Sequence, residues 1–270
     1  MISRTERSAN YAVLALFAVI ALFPVLLILA TALSPDAIGA GGSLRSLEFA
    51  NFADAWNQGR FGSYMRTSVI VAVLVVALST VFSILAGYAF GTMQFRGSEV
   101  IFYLLLLGIM VPAEALVVAL YFDLRTLGLT NTLVAIVMPQ VAQSVAFGTF
   151  WMRAYFRSSS REVVEAARID GAGHWRTLWR VLVPMGRPAI TTMIVLVFMW
   201  TWNEFLIPLV MATDESLRTA PLGLAFFQGQ YTSGTSLLAA GAVLVALPVV
   251  LVYLFLQRHF IRGMVEGAVK

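Results

Sequence analysis

Two carboxylates interrupt apolar stretches of this 270-residue chain, which makes them candidates for binding a small-molecule solute. Glu204 ends the sequence Trp202-Asn203-Glu204, and Glu114 follows a proline by two positions. Carboxylate and amide groups bind hydroxyl groups, and an aromatic face stacks on the apolar side of a sugar ring. With Gln143, these residues form a candidate solute pathway. The alternatives are a structural hydrogen bond to another chain for Glu204 and contact with interfacial water for Glu114.

The sequence has few of the residues that catalysis or metal binding would need. Lys270 is the one lysine, there is no cysteine, and His174 and His259 are the two histidines. A P-loop needs a lysine inside a glycine-rich turn, and a Schiff base needs one inside a pocket. Disulfides and thiolate ligands are excluded by the lack of cysteine. We therefore expect no catalytic residue, no metal site and no cofactor bound by this chain itself.

The composition predicts an all-α integral membrane protein that positions these polar groups. Hydrophobic residues make up 60% of the chain and charged residues 12%, against about 25% charged residues in soluble domains. A membrane-spanning helix needs about 20 apolar residues. Six stretches qualify: 11–33, 67–90, 100–122, 132–152, 189–211 and 236–256. Prolines within five of them, at positions 24, 112, 139, 208 and 248, are candidate helix kinks, although packing alone could fix each kink.

The basic residues predict the orientation of the six spans. With the N-terminus in the cytoplasm, thirteen of the eighteen basic residues lie in cytoplasmic segments and five outside, as the positive-inside rule requires. The net charge of +4 therefore reports topology, and we expect no nucleic-acid binding. The organisation is a cytoplasmic N-terminus (1–10), a six-span domain (11–256) and a cytoplasmic tail (257–270). The first stretch is expected to be an uncleaved signal anchor, since it is too long for an ordinary signal peptide.

The cytoplasmic loop 153–188 carries helical signals. Ser159 and Glu162 have the spacing of a capping box, and Gly171 is placed to end the helix with a positive φ. A second short helix is predicted from about residue 172 to 182, and Pro184 and Pro188 end it before the fifth span. An amphipathic element lying on lipid would give the same pattern. The small Ala166 and Ala167, and the acidic groups in an arginine-rich segment, favour docking onto a protein.

This loop resembles the EAA motif of membrane subunits of binding-protein-dependent ABC importers. The motif reads E-A-A-x3-G-x9-I-x-L-P, and the matching residues are Glu165, Ala166, Ala167, Gly171, Val181, Val183 and Pro184. Valine replaces isoleucine and leucine at positions 181 and 183. The six spans, the Trp202-Asn203-Glu204-Phe205 segment and the C-terminal tail are similar to the maltose-type, MalG-like branch for carbohydrate uptake.

The resemblance implies a type I ABC importer permease fold with a cytoplasmic coupling helix, in a bacterial cytoplasmic membrane with both termini inside. The implied partners are a second, different permease, a cytoplasmic ATPase dimer that binds ATP and Mg²⁺, an extracytoplasmic solute-binding protein, and a carbohydrate. The motif residues implied to couple to the ATPase are Glu165, Ala166, Ala167, Asp170, Gly171, Ala172 and Pro184. The residue-based observations leave open a permease for glycerol-phosphate-like esters, an ion-coupled secondary transporter and a membrane-embedded enzyme.

Two long external loops, 34–66 and 212–235, are candidates for meeting the solute-binding protein. The first is rich in aromatic residues, and the second contains Gln228, Gly229, Gln230, Tyr231 and Gly234. An ordinary connecting loop is the alternative for each. We expect both histidines, His174 and His259, to contact lipid headgroups or the ATPase.

Overall fold

The computed structural model describes residues 4–35, 47–158, 161–230 and 235–268, and in these ranges the chain is helical without strands. This confirms the all-α prediction. The α-helices are α1 (Arg4–Ala32), α2 (Ala50–Gln58), α3 (Phe61–Thr92), α4 (Ser98–Met110), α5 (Ala113–Thr126), α6 (Leu133–Ser158), α7 (Arg161–Ile169), α8 (His174–Thr177), α9 (Val183–Met185), α10 (Arg187–Asn203), α11 (Leu206–Met211), α12 (Ala220–Gln230) and α13 (Thr235–Ala268).

Four helices of the described part are long and apolar enough to cross a membrane, and two bent pairs raise the number to six. The four are Glu6–Ala32, Phe61–Thr92, Leu133–Ser158 and Thr235–Gln257. One bent pair is α4 and α5, which meet at 98°. The other is the pair His174–Met185 and Arg187–Asn203, which meet at 78°. The stretch 100–122 is therefore sharply bent, because the residue before Pro112 avoids the helical conformation and α4 ends there.

The stretch 189–211 is also interrupted. Glu204 follows α10 in an extended conformation, with φ −64° and ψ 123°, and α11 begins two residues later. Pro208 lies in the first turn of α11, where its missing N–H would have no partner within the helix. Pro24 and Pro139 instead lie within the continuous helices α1 and α6.

The predicted loops contain more helix than the sequence suggested. In 34–66 the structure has α2, and Asn51 Nδ2 ties it to the carbonyls of Ala32 at 3.0 Å and Ser34 at 2.9 Å. In 212–235 there are a 3₁₀ turn (Glu215–Leu217) and α12. Tyr231 and Gly234 lie outside the described residues. The predicted tail begins as an uninterrupted continuation of α13 as far as Ala268, and α1 begins within the predicted N-terminal segment at Arg4.

The chain divides into two compact units, Met1–Gly62 with Gly223–Leu247, and Ser63–Leu222 with Pro248–Lys270. The second unit contains every candidate coupling and pathway residue. Its buried core is built mainly from α3, α6 and α10, with Val75, Met152 and Met193 at 0–1% exposure.

Helices α3 and α6 of the second unit approach closely at two glycines. A Cβ on Gly87 would lie 2.5 Å from Met152 Cβ, and one on Gly91 would lie 2.9 Å from Phe156 Cβ. Gly87 and Gly91 are four residues apart, the spacing that lets membrane helices pack backbone against side chain. The sequence analysis missed this G-x-x-x-G signal.

Arg153 fastens α4 to the same helix pair. Its guanidinium lies 2.7 Å from Glu99 Oε1 and 3.8 Å from the centroid of the Phe102 ring, and its Nε donates to the Phe90 carbonyl at 3.3 Å. The side chain is 11% exposed. This residue therefore links the ends of α3, α4 and α6.

Candidate functional site

The segment predicted to couple forms an exposed helix that ends in a tight turn. At the end of α7 the Gly171 N–H donates to the Arg168 carbonyl and the Ala172 N–H to the Ala167 carbonyl, both at 2.9 Å. These two bonds define a Schellman motif, and Gly171 has φ +76°. The structure thus confirms that Gly171 ends the helix with a positive φ. The predicted capping box depends on Ser159, which lies outside the described residues.

The side chains of α7 divide between the protein and the surface. Ala167 is buried, whereas Glu165, Ala166 and Asp170 are exposed. Ile169 is 86% exposed at the end of the helix. Ile169 lies between Arg168 and Asp170, with Glu165 one turn earlier. This mixture of both charges around an apolar side chain suits a protein surface more than anionic lipid, which attracts clusters of basic residues.

The segment His174–Met185 connects this turn to α10. We call it the bent segment because it meets α10 at 78°. It comprises α8, a π-helical turn (Leu178–Leu182) and α9, so the predicted helix 172–182 is longer and irregular. Val183 N–H donates to the Leu178 carbonyl, five residues back. Pro184 follows the π turn within α9, where it continues the helix instead of ending it. The bend comes two residues later, at Gly186.

Tyr155 of α6 fixes this bend. Its hydroxyl donates to the Leu182 carbonyl at 3.0 Å, and a Cβ on Gly186 would lie 2.6 Å from the ring. On the other side of the segment, His174 Nδ1 lies 3.2 Å from the Tyr88 hydroxyl. His174 therefore contacts α3, which the sequence analysis did not foresee. The side chain of His259 is not described.

A cavity of about 350 Å³ lies where the two interrupted spans break. It is bounded by the α4–α5 bend, the middle of α6 and the end of α10. The lining residues are Gly108, Ile109, Val111, Pro112, Ala113, Glu114, Leu116, Gln140, Gln143, Ser144, Phe147, Trp200, Thr201 and Glu204. Three of the predicted pathway residues, Glu114, Gln143 and Glu204, thus meet at one site.

The other two predicted pathway residues lie elsewhere. Trp202 is 3% exposed, and its ring centroid is 5.6 Å from that of Phe198, beside a separate apolar pocket. Asn203 is exposed, and its Nδ2 donates to the Met199 carbonyl at 2.8 Å. Trp200 lines the cavity instead. Trp200 and Trp202 both precede Glu204 in the sequence, and the helical repeat of α10 places these two tryptophans on different faces.

The carboxyl groups of the cavity also serve the local backbone. Glu204 Oε1 accepts the Ile207 N–H at 3.0 Å and so caps the start of α11. Glu114 lies in the first turn of α5, where the positive end of the helix dipole favours an acid. In the described part of the chain, no group of three His, Asp or Glu side chains could hold a metal ion.

The segment before α12 is tied down by several hydrogen bonds. Asp214 N–H donates to Asn131 Oδ1 at 2.8 Å, and Tyr64 donates to Glu215 Oε1 at 2.9 Å. The Ser216 N–H donates to Asp214 Oδ1 at 2.9 Å, and this bond holds the pKa of Asp214 below its ordinary value. The beginning of this predicted external loop is therefore an ordered segment.

Comparison with known proteins identifies the family. The family described as "Binding-protein-dependent transport system inner membrane component" matches residues 79–266. The chain belongs to this family. The match includes α7, the bent segment and the cavity, and membership separates this protein from ion-coupled secondary transporters.

Named relatives of this binding-protein-dependent permease are transport proteins. It is 36% identical to the probable ABC transporter permease protein YurM of Bacillus subtilis over 82% of this chain and 73% of that one. It is 34% identical to the diacetylchitobiose uptake system permease protein NgcG of Streptomyces coelicolor, over 81% and 73%. It is 34% identical to the trehalose/maltose transport system permease protein MalG of Thermococcus litoralis, over 78% and 76%.

A solved structure supports the fold. A chain from a bacterial ABC transporter that imports the acidic polysaccharide alginate superposes with a TM-score of 0.82. The alignment covers 96% of this permease and 99% of that chain at 24% identity. The type I importer permease fold predicted for the permease is thereby confirmed.

Proposed function

We propose that this permease forms half of the translocation pathway for a carbohydrate in a bacterial cytoplasmic membrane and is driven by a separate ATPase. It pairs with a second, different permease and receives solute from an extracytoplasmic binding protein, with both termini in the cytoplasm. The chain itself performs no ATP chemistry, and ATP and Mg²⁺ belong to the ATPase. Relatives named for diacetylchitobiose and trehalose/maltose transport support a carbohydrate solute.

The observation that carries this proposal is the physical path from α7 to the cavity. Gly171 closes α7 into an exposed turn, and the bent segment follows directly. Tyr155 holds the bend at Gly186, after which α10 runs uninterrupted to Trp200 and Thr201 in the cavity wall. A displacement of α7 by the ATPase therefore reaches the cavity through the segment His174–Met185 and then through α10.

Coupling of this kind requires that the solute and the ATPase each bind the two conformations of the permease with different affinity. The surface for the ATPase is presented by Glu165, Ala166, Asp170, Gly171 and Ala172. The buried Ala167 anchors this helix against the protein, and Pro184 belongs to the segment that transmits the movement. The breaks at Pro112 and Glu204 allow the two cavity walls to move separately, because no helical hydrogen bonds cross these positions.

The proposal is tested by reconstituting the permease in liposomes, alone and with its second permease, ATPase and binding protein. We expect solute uptake only in the complete assembly, and only when ATP is supplied on the same side of the membrane as the ATPase. Uptake by the permease alone under an ion gradient, without ATP, would overturn the proposal.

A further inference from the structure

On the basis of the proposed function, we infer that the cavity recognises uncharged, hydroxyl-rich saccharides and excludes anionic ones. The geometry assigns this selectivity to Glu114 and Glu204, which enter the same wall from different spans. The 350 Å³ volume falls within the range of about 300–1,000 Å³ found for small-molecule sites.

The charged residues that line the cavity are acidic. Glu114 and Glu204 are its ionisable residues, and Arg, Lys and His are absent from the lining of the described cavity. Two carboxylates that face one cavity repel a uronate or phosphate ester, because like charges a few ångströms apart disfavour each other. A phosphate ester would want a basic group in this position. The lining therefore argues against the glycerol-phosphate-like solutes that the sequence left open.

The hydrogen-bonding groups of the lining favour a donor-rich solute. Gln140 is 4% exposed, and its Nε2 is occupied by the Ile136 carbonyl at 2.9 Å. Its Oε1 is enclosed and accepts no hydrogen bond from the described residues. The Gln140 side chain is therefore closed to a solute, and the accessible carboxyl oxygens of the lining belong to Glu114 and Glu204. Saccharide hydroxyls can donate hydrogen bonds to these carboxyl oxygens.

The aromatic pair of the cavity fits the same solute. Trp200 is 49% exposed, and its ring centroid lies 4.7 Å from that of Phe147 in an edge-on arrangement at 72°. This contact with Phe147 fixes the orientation of the indole. An uncharged sugar ring can then lie on the exposed indole face.

The test measures equilibrium binding to the purified permease in nanodiscs of zwitterionic lipid, by tryptophan fluorescence. The uncharged probes are trehalose, maltose and diacetylchitobiose, and the anionic probe is an alginate disaccharide. The variants are Glu114→Gln with Glu204→Gln, and Asp123→Asn as the matched control. Asp123 lies on α5 with Glu114 but outside the cavity lining. Replacing each carboxylate by an amide keeps the size of the side chain and removes its charge.

We expect at least one uncharged probe to bind the wild type about tenfold or more tightly than the alginate disaccharide. The double variant should reduce that preference by about tenfold, while Asp123→Asn leaves it unchanged. Equal binding of both probe classes to the wild type would overturn the inference, as would an unchanged preference in a double variant with wild-type thermal stability. If no uncharged probe binds while the complete importer still shows ATP-driven uptake, the inference fails and the proposed function stands.

Discussion

The guanidinium carbon of Arg153 lies 3.8 Å from the centroid of the Phe102 ring, and the same guanidinium is paired with Glu99. The two members of the ion pair differ in environment, since the Arg153 side chain is 11% exposed and that of Glu99 is 58% exposed. The stacking on Phe102 and the bond to the Phe90 carbonyl are therefore expected to contribute more than the ion pair.

Arg153→Ala should lower the free energy of unfolding by about 2 kcal/mol, because it removes the cation–π contact and a hydrogen bond at once. Glu99→Gln should cost less than about 1 kcal/mol, as an exposed ion pair contributes little. Denaturant titration in detergent measures both, with Arg157→Ala on the same helix as the control. Equal losses for the two variants would contradict this division.

Gly171→Ala should weaken docking of the ATPase through backbone strain alone. A Cβ at this position would meet no atom within 4 Å, but φ is +76°, which costs a non-glycine residue about 1–2 kcal/mol. Co-purification with the ATPase measures the effect, and Gly171→Asp should abolish it. Gly173→Ala is the matched control, because Gly173 has equally open surroundings and φ −73°. Full assembly of Gly171→Asp with coupled ATP hydrolysis would refute the assignment of the coupling turn.

Gly87→Ala should destabilise the contact between α3 and α6 by about 1–3 kcal/mol. The new methyl group would lie 2.5 Å from Met152 Cβ and 3.0 Å from the Arg153 backbone nitrogen, so a helix must move. The thermal unfolding midpoint in detergent provides the measurement. Gly108→Ala in α4 should leave the midpoint unchanged or raise it, because nothing lies within 4 Å of its Cβ position and alanine favours helix.

Glu204→Gln and Glu204→Ala should separate the two uses of this side chain. Both remove a carboxylate from the cavity and should change uptake while leaving ATPase co-purification intact. Only the alanine variant also loses the acceptor for the Ile207 N–H, at about 1 kcal/mol of stability. Uptake and stability are measured on the same preparations. Wild-type uptake of every solute by Glu204→Gln would remove this residue from the pathway.

Gly186→Ala should impair coupling at the bend. The added methyl would meet the Tyr155 ring at 2.6 Å, so either the ring or α10 must shift. We expect faster ATP hydrolysis without matching uptake in the complete importer. Tyr155→Phe keeps the ring and removes only the bond to the Leu182 carbonyl, so its effect should be smaller, at about 1 kcal/mol of stability. Tight coupling in Gly186→Ala would contradict a role for this bend.

Local chemistry made the coupling turn predictable from sequence. A glycine that follows a short amphipathic run has few alternatives to the left-handed conformation, and Gly171 adopts it. Composition alone was enough to predict the helical fold, because the charged residues are too few to cover a soluble surface. The family motif then added the expected ATPase partner.

The cavity was only partly predictable, because hydropathy contains no information about direction. Pro112 marked a candidate kink in the apolar run 100–122, but the sequence did not predict that the two halves meet at 98°. Glu114, which follows that turn, lines the same cavity as Glu204, ninety positions later in the chain. The choice of Trp202 over Trp200 failed for a simpler reason, since two residues' separation places side chains on nearly opposite faces of a helix.

The π turn at Leu178–Leu182 holds one residue more than an α-helical turn would need. Such a turn is equivalent to a one-residue insertion in an otherwise regular helix. A related chain with one residue fewer here could form an unbroken α-helix, and its preceding segment would then be rotated by about 100° relative to α10. Alignments across this family should therefore place single-residue gaps with care between Gly171 and Gly186. The face that α7 offers to its partner depends on the residue count in that interval as much as on the motif itself.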